Sequence, residues 1–170
     1  MDEREEFSSF VALSARQLLR SAWLLTGDWA LAEDLVQTAL AATWARWSRM
    51  DSVGCPEAYV RRVMVTTFLR WNKRRWKGEI ATELLPERGR EDKQLADVEL
   101  RDAVSGALHV LSPKQRAIVV LRYFGDLSEA QTAVAMGCAV GTVKSQSAKA
   151  LARLHGVPGL ADVMTEGRAP

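Results

Sequence analysis

The side chains of this 170-residue chain that could do chemistry are cations and short polar groups set at helical spacing. Wound at about 100° per residue, Arg62, Thr66, Arg70, Lys73 and Lys77 share an arc of roughly 80°. Tyr59 projects near that arc where the helix begins. Cations in a row beside an aromatic suit a phosphate backbone and a stacked, unpaired base; a basic face turned to solvent is the alternative. A second set lies in "GCAVGTVKSQSAKALARL", where Val140, Gly141, Lys144, Ser145, Ala148 and Lys149 face outward from a helix. Short side chains let such a helix seat deep in a major groove. Lys144 and Lys149 then reach guanine edges or phosphates, and Ser145 bonds either.

Catalytic and metal chemistry find little support. His109 and His155 stand alone and read as surface or cap residues rather than a base or a ligand. Cys55 and Cys138 are far apart and match no zinc or disulfide spacing, which suits a reducing cytosol. No phosphate-cradling glycine motif is present. The expectation is a non-enzymatic protein with no catalytic residue, metal or cofactor. The N-terminal "MDEREEF" lacks the basic and apolar segments of a signal peptide, and no apolar run approaches a membrane span. A soluble, cytoplasmic protein without membrane insertion is expected.

The elements that must position these residues are all helical, since no useful strand alternation appears. The net charge of +2 hides blocks of alternating sign. Residues 1–57 carry nine acidic and five basic side chains, and 58–78 carry seven basic and no acidic ones. Residues 79–102 carry eight acidic and four basic ones, and 103–157 two acidic and six basic ones. All six tryptophans precede residue 78, and "KGEIATELLPERGREDKQLADVE" has weak periodicity, a proline and dense charge. That stretch reads as an acidic, flexible linker between two small helical domains. The expected limits are 1–78 for the first domain, 79–96 for the linker, 97–157 for the second domain and 158–170 for a tail.

In the first domain one helix spans Glu3 to Leu25, stopped by Gly27, with Asp28 capping the next. The second helix is expected from Trp29 to about Arg49, with Val36, Leu40, Trp44 and Trp47 inward. Pro56 opens the third, whose core stripe is Val60, Val63, Met64, Thr67, Phe68 and Trp71. In the second domain a helix over about 96–110 is followed by one starting at "SPKQ" and running through Leu121. "SEAQ" starts a short one ending at Met136. Both starts are capping boxes. The turn at Gly137 and the helix after it complete a helix-turn-helix, with Ala133 small at the crossing and Val143 locking the two helices together. A purely structural helical hairpin is the alternative for this last element.

The segments "GDWALAEDLVQTALAATWARW", "PEAYVRRVMVTTFLRWNKRR" and "LSPKQRAIVVLRYFGDLSEAQTAVAMGCAVGTVKSQSAKALARL" resemble, in order, regions two point two, two point three to two point four, and four of extracytoplasmic function (ECF) sigma factors of the sigma-70 family, most like the actinobacterial branch. The likeness runs from about Glu6 to Leu154. It implies a transcription initiation factor that binds bacterial core RNA polymerase and directs it to the promoters of a regulon. By the resemblance, Asp34, Leu35, Val36 and Gln37 meet the β′ clamp helices, and the second domain meets the β flap. Tyr59, Arg62, Thr66, Arg70 and Lys73 hold the melted minus-ten element. Val140, Gly141, Thr142, Lys144, Ser145, Ala148 and Lys149 read the minus-thirty-five element. An anti-sigma factor wedged between the domains is a further implied partner.

Four positions depart from the family pattern. Thr66 stands where asparagine is frequent, which reduces the hydrogen-bonding inventory beside the melted strand. Ala139 replaces a serine cap, a loss of about 1 kcal/mol. Gln146 and Ala148 replace bulkier or cationic side chains. A one-component repressor or activator with a similar recognition helix is a second reading, which fails to account for the first domain, and a purely protein-binding helical adaptor is a third.

Overall fold

The computed structural model describes residues 2–50, 55–76 and 95–158. Among these residues every regular element is a helix. Most of the linker and tail expected from the sequence lies outside the described residues, as does Lys77.

The first domain is built from α1 (Glu3–Thr26), α2 (Trp29–Trp44) and α3 (Pro56–Trp76). α1 begins with Glu3, Glu5 and Glu6 in its first turn, where carboxylates favour the helix dipole. It ends at Gly27, whose φ of 70° is the left-handed conformation that glycine takes without strain. A side chain there would also collide with the His109 ring, so the corner is tight for a second reason. Asp28 then caps α2, its Oδ1 accepting from Leu31 N at 2.8 Å. Ala32 and Ala39 are fully buried seven residues apart, and these small side chains keep α2 close to its neighbours. Leu18, Leu25, Leu35, Val60, Met64 and Phe68 fill the space between the three helices.

α2 ends earlier than its periodicity predicts. The chain leaves the helix after Trp44 and makes a 3₁₀ turn at Trp47–Arg49. That turn sets the Trp47 ring 5.0 Å from Phe7 and 5.4 Å from Phe10, while Trp44 lies 5.0 Å from Phe7. Aromatic packing of this kind outweighs the weak preference to continue a helix.

The second domain holds α4 (Leu95–His109), α5 (Pro113–Val119), a π-helical turn (Val120–Phe124), α6 (Glu129–Met136) and α7 (Val140–His155). Both expected capping boxes are formed. Gln115 N donates to Ser112 Oγ at 3.2 Å, and Gln131 N donates to Ser128 Oγ at 3.1 Å. The helix after Ser112 does not stay α-helical through Leu121. Gly125 N reaches back to Val120 O at 2.9 Å, a five-residue bond that widens the last turn. Gly137 makes the tight turn with φ 64°, and Ile118, Ala133 and Val143 form a small core of their own inside the helix-turn-helix.

The two domains pack on each other, α1 and α3 meeting α5, α6 and the π-helical turn. Arg116 sits at that junction, 8% exposed. Its Nε donates to Leu108 O at 3.0 Å, Nη2 to Leu111 O at 3.3 Å, and Nη1 across the junction to Leu25 O at 2.9 Å. Its guanidinium carbon lies 5.8 Å from the centre of the Phe68 ring. Burial pushes the Arg116 pKa below the ordinary arginine value. Three carbonyls, from the C-terminal ends of α1 and α4, solvate it in place of water.

Candidate nucleic-acid interface

α3 separates two chemistries along its length. Val60, Met64, Thr67 and Phe68 are buried, as the sequence predicts, and Val65 joins them. Arg62, Thr66, Arg70 and Lys73 are exposed, so the packing of the second domain leaves the basic face open. Thr66 Oγ1 donates to Arg62 O at 2.8 Å within the helix. Its hydroxyl proton is thus engaged, and its oxygen keeps capacity to accept. Tyr59 is half-buried beneath Arg46, whose guanidinium carbon is 5.8 Å from the ring centre. That arrangement leaves Tyr59 less free to stack than the cations are to contact phosphate.

The segment Asp34–Gln37 splits by exposure. Leu35 is 0% and Val36 8% exposed, so both belong to the bundle core rather than to a docking surface. The expectation that all four residues form one contact surface therefore needs correction. Asp34 and Gln37, three residues apart on the helix, are the exposed pair.

α7 presents Val140, Gly141, Lys144, Ser145, Ala148 and Lys149 to solvent, with Thr142 half-buried. Val140, which can also be counted as an apolar inward point, faces outward at 39% exposure. Val143, Ala150 and Leu154 hold the opposite face in the core. Ala139 offers no side-chain cap, as expected. The helix is steadied elsewhere: Gln115 Nε2 donates to Gln146 Oε1 at 3.2 Å, and Arg153 Nη1 donates to Gln115 Oε1 at 3.3 Å. Gln146 therefore ties α7 to α5.

Two further residues at this surface escape a reading by periodicity. Glu129 at the start of α6 places Oε2 3.7 Å from Lys144 Nζ and Oε1 3.7 Å from Arg122 Nη1. Arg122 stands in the π-helical turn, and its buried Nε has no partner. Neither residue gives a signal by sequence spacing alone, because this cluster draws its members from three separate elements.

Among the described residues no group of three or more His, Cys, Asp or Glu side chains could hold a metal ion, and no helix is long and apolar enough to cross a membrane. His109 and His155 each bond a carbonyl four residues back in their own helix, Ser105 O and Leu151 O, both at 2.7 Å.

Among the described residues every element is helical, with an exposed basic helix in one domain and an exposed helix-turn-helix in the other, which defines a two-domain helical protein carrying a helix-turn-helix. Comparison with known proteins names the class further. Residues 4–78 match the family model described as Sigma-70 region 2, and residues 101–154 the one described as Sigma-70, region 4. The RNA polymerase sigma-E factor of Streptomyces coelicolor is 44% identical over 157 residues, covering 91% of this chain and 87% of that protein. The ECF RNA polymerase sigma factor SigL of Mycobacterium tuberculosis is 31% identical, covering 78% of this chain and 77% of that one. Among solved structures, the sigma factor RpoE of Bartonella quintana, crystallised with the anti-sigma factor NepR, superposes with a TM-score of 0.73 at 26% identity, covering 94% of this chain and 98% of that chain. The chain belongs to the sigma-70 family, in its ECF group. It is an RNA polymerase sigma factor that directs promoter-specific transcription initiation.

Proposed function

We propose a division of labour among the exposed faces. Residues 1–78 bind core polymerase and the minus-ten element, 79–96 link, 97–157 bind the minus-thirty-five element and 158–170 form a tail. Asp34 and Gln37 make orienting polar contacts with the β′ clamp helices, and Leu35 and Val36 hold α2 in the bundle so that those contacts are presented. Arg62, Arg70 and Lys73 track the phosphates of the melted minus-ten strand, Thr66 accepts a hydrogen bond there, and Tyr59 borders the captured base. α7 enters the major groove of the minus-thirty-five element with Lys144, Ser145 and Lys149 reaching base edges or phosphates, while Val140, Gly141, Thr142 and Ala148 keep the approach close. The β flap takes the second domain. The protein has no catalytic activity of its own and works in the cytoplasm.

One observation carries this reading: Arg62, Thr66, Arg70 and Lys73 are all exposed on a helix whose other face is core. An amphipathic helix of this charge, on the same chain as an exposed recognition helix, fits a protein that meets DNA at two places. The relative crystallised with NepR supports an anti-sigma factor as a partner.

Run-off transcription tests the reading directly. Purified bacterial core polymerase is assayed with and without the protein on a pool of genomic promoter fragments. New transcripts with a shared pair of upstream elements are expected. Core binding without transcripts would overturn the minus-ten assignment, and absence of core binding would overturn the roles of Asp34 and Gln37.

A further inference from the structure

The carboxylate of Glu129 lies between two cations on the face that carries the recognition helix. Each oxygen takes one partner: Oε1 faces Arg122 Nη1 and Oε2 faces Lys144 Nζ, both at 3.7 Å. Glu129 is the first residue of α6, just past the Ser128 cap. The first helix of a helix-turn-helix crosses the DNA backbone, and a helix N-terminus is a favourable place for a phosphate. Here a carboxylate already stands at that end, near the two cations that would attract a phosphate. The local charge of Arg122, Lys144 and Glu129 together is +1 instead of +2.

We infer that Glu129 is a specificity-determining and positioning residue for upstream promoter recognition. It acts through Lys144 and Arg122; the inference rests on the placement of α7 in the major groove. The physical reason is a difference between two kinds of contact. Attraction to phosphate is independent of sequence, and a fixed negative charge weakens it on every duplex. Contacts to base edges form only on the right sequence. The carboxylate 3.7 Å from Lys144 Nζ biases where that ammonium sits, and the carboxylate itself can accept from a cytosine amino group. Glu129 therefore lowers binding to wrong sequences more than to the right one. The energy of the two exposed pairs is small, so their role is in orientation and charge rather than in stability.

The test uses holoenzyme assembled from core polymerase and the full-length chain, wild type or Glu129→Gln. Binding is measured across a salt series to two duplexes: a promoter found by run-off transcription, and the same promoter with its upstream element scrambled. Glu129→Gln is expected to bind both duplexes more tightly, with the larger increase on the scrambled one, so that discrimination falls about three-fold or more. The slope of log K against log salt should steepen by about 0.9 for each additional phosphate neutralised. In a Lys144→Gln background most of that increase should vanish, because the two side chains act as a pair. Unchanged discrimination and slope in Glu129→Gln would overturn the inference, as would an equal increase with Lys144 replaced. A change in melting temperature alone would show a merely structural role and would also overturn it. If wild-type holoenzyme does not distinguish the two duplexes, the placement of α7 fails and takes the inference with it.

Discussion

Arg116 donates from Nη1 to the carbonyl of Leu25 at 2.9 Å, joining two residues 91 positions apart in the chain. The contact places a cation at the C-terminal end of α1, which has no basic residue in its own last turn. The same guanidinium bonds Leu108 O and Leu111 O at the end of α4. One buried charge thus serves helix ends from both domains, and its cost of burial is offset by the carbonyls that surround it.

Replacing Arg116 with methionine keeps the bulk and takes the guanidinium donor from three buried carbonyls, of which Leu108 O still accepts from Leu111 N. A loss of about 2–4 kcal/mol in unfolding free energy is expected, read from urea denaturation. Arg116→Lys should lie between the two, since one ammonium cannot reach all three acceptors. A methionine variant within about 0.5 kcal/mol of wild type would mean that water replaces these bonds at little cost.

Gly27 is constrained twice, by its left-handed backbone and by the His109 ring against it. Gly27→Ala should destabilise the protein by more than about 1 kcal/mol. Adding His109→Ala removes the collision but not the backbone strain, so only part of the loss should return. Full recovery in the double variant would assign the whole effect to the ring.

Ala139 already has the extended backbone of a helix cap, φ −74° and ψ 152°, without a side chain to use it. Ala139→Ser should therefore stabilise the chain by about 0.5–2 kcal/mol, raising the melting temperature by roughly 2–4 °C per kcal/mol. An unchanged melting temperature would indicate that the first amides of α7 have no need of the cap.

Neighbouring residues of α2 should behave oppositely. Leu35→Ala opens a cavity in the bundle and should cost about 2–5 kcal/mol. Asp34→Ala should change stability by no more than about 0.5 kcal/mol and instead weaken binding to core polymerase in a pull-down or anisotropy titration. Normal core binding by Asp34→Ala and Gln37→Ala together would remove this face from the interface.

Arg62→Ala, Arg70→Ala and Lys73→Ala should each weaken holoenzyme on a promoter and make its salt slope shallower by about 0.7–0.9. The single-strand value applies where the DNA is melted. A slope that stays constant in all three variants would place the minus-ten phosphates elsewhere.

Helix starts and stops were legible wherever a single residue sets the backbone. Ser112, Ser128, Gly27 and Gly137 do this through bonds or dihedral angles that involve only their own neighbours. The buried stripe of α3 and the outward face of α7 were also readable, because helical period alone sorts those residues. The end of α2 was not. Trp47 continues the helical spacing, yet its ring is better stabilised between Phe7 and Phe10, far back along the chain, than by another turn of helix. Leu35 looks like the rest of an exposed motif until the neighbouring helices are in place, whereas helical spacing already turned Val36 inward.

Composition, charge blocks and caps by themselves pointed to a helical chain in two parts, and the resemblance of its ordered motifs pointed to its family. These depend on short-range physics or on patterns carried within one element. Tertiary structure decided which motif residues remain exposed, which carbonyls Arg116 bonds, and that Glu129 stands between Arg122 and Lys144. Those relationships join groups on separate helices, and only the packed arrangement brings them within bonding distance.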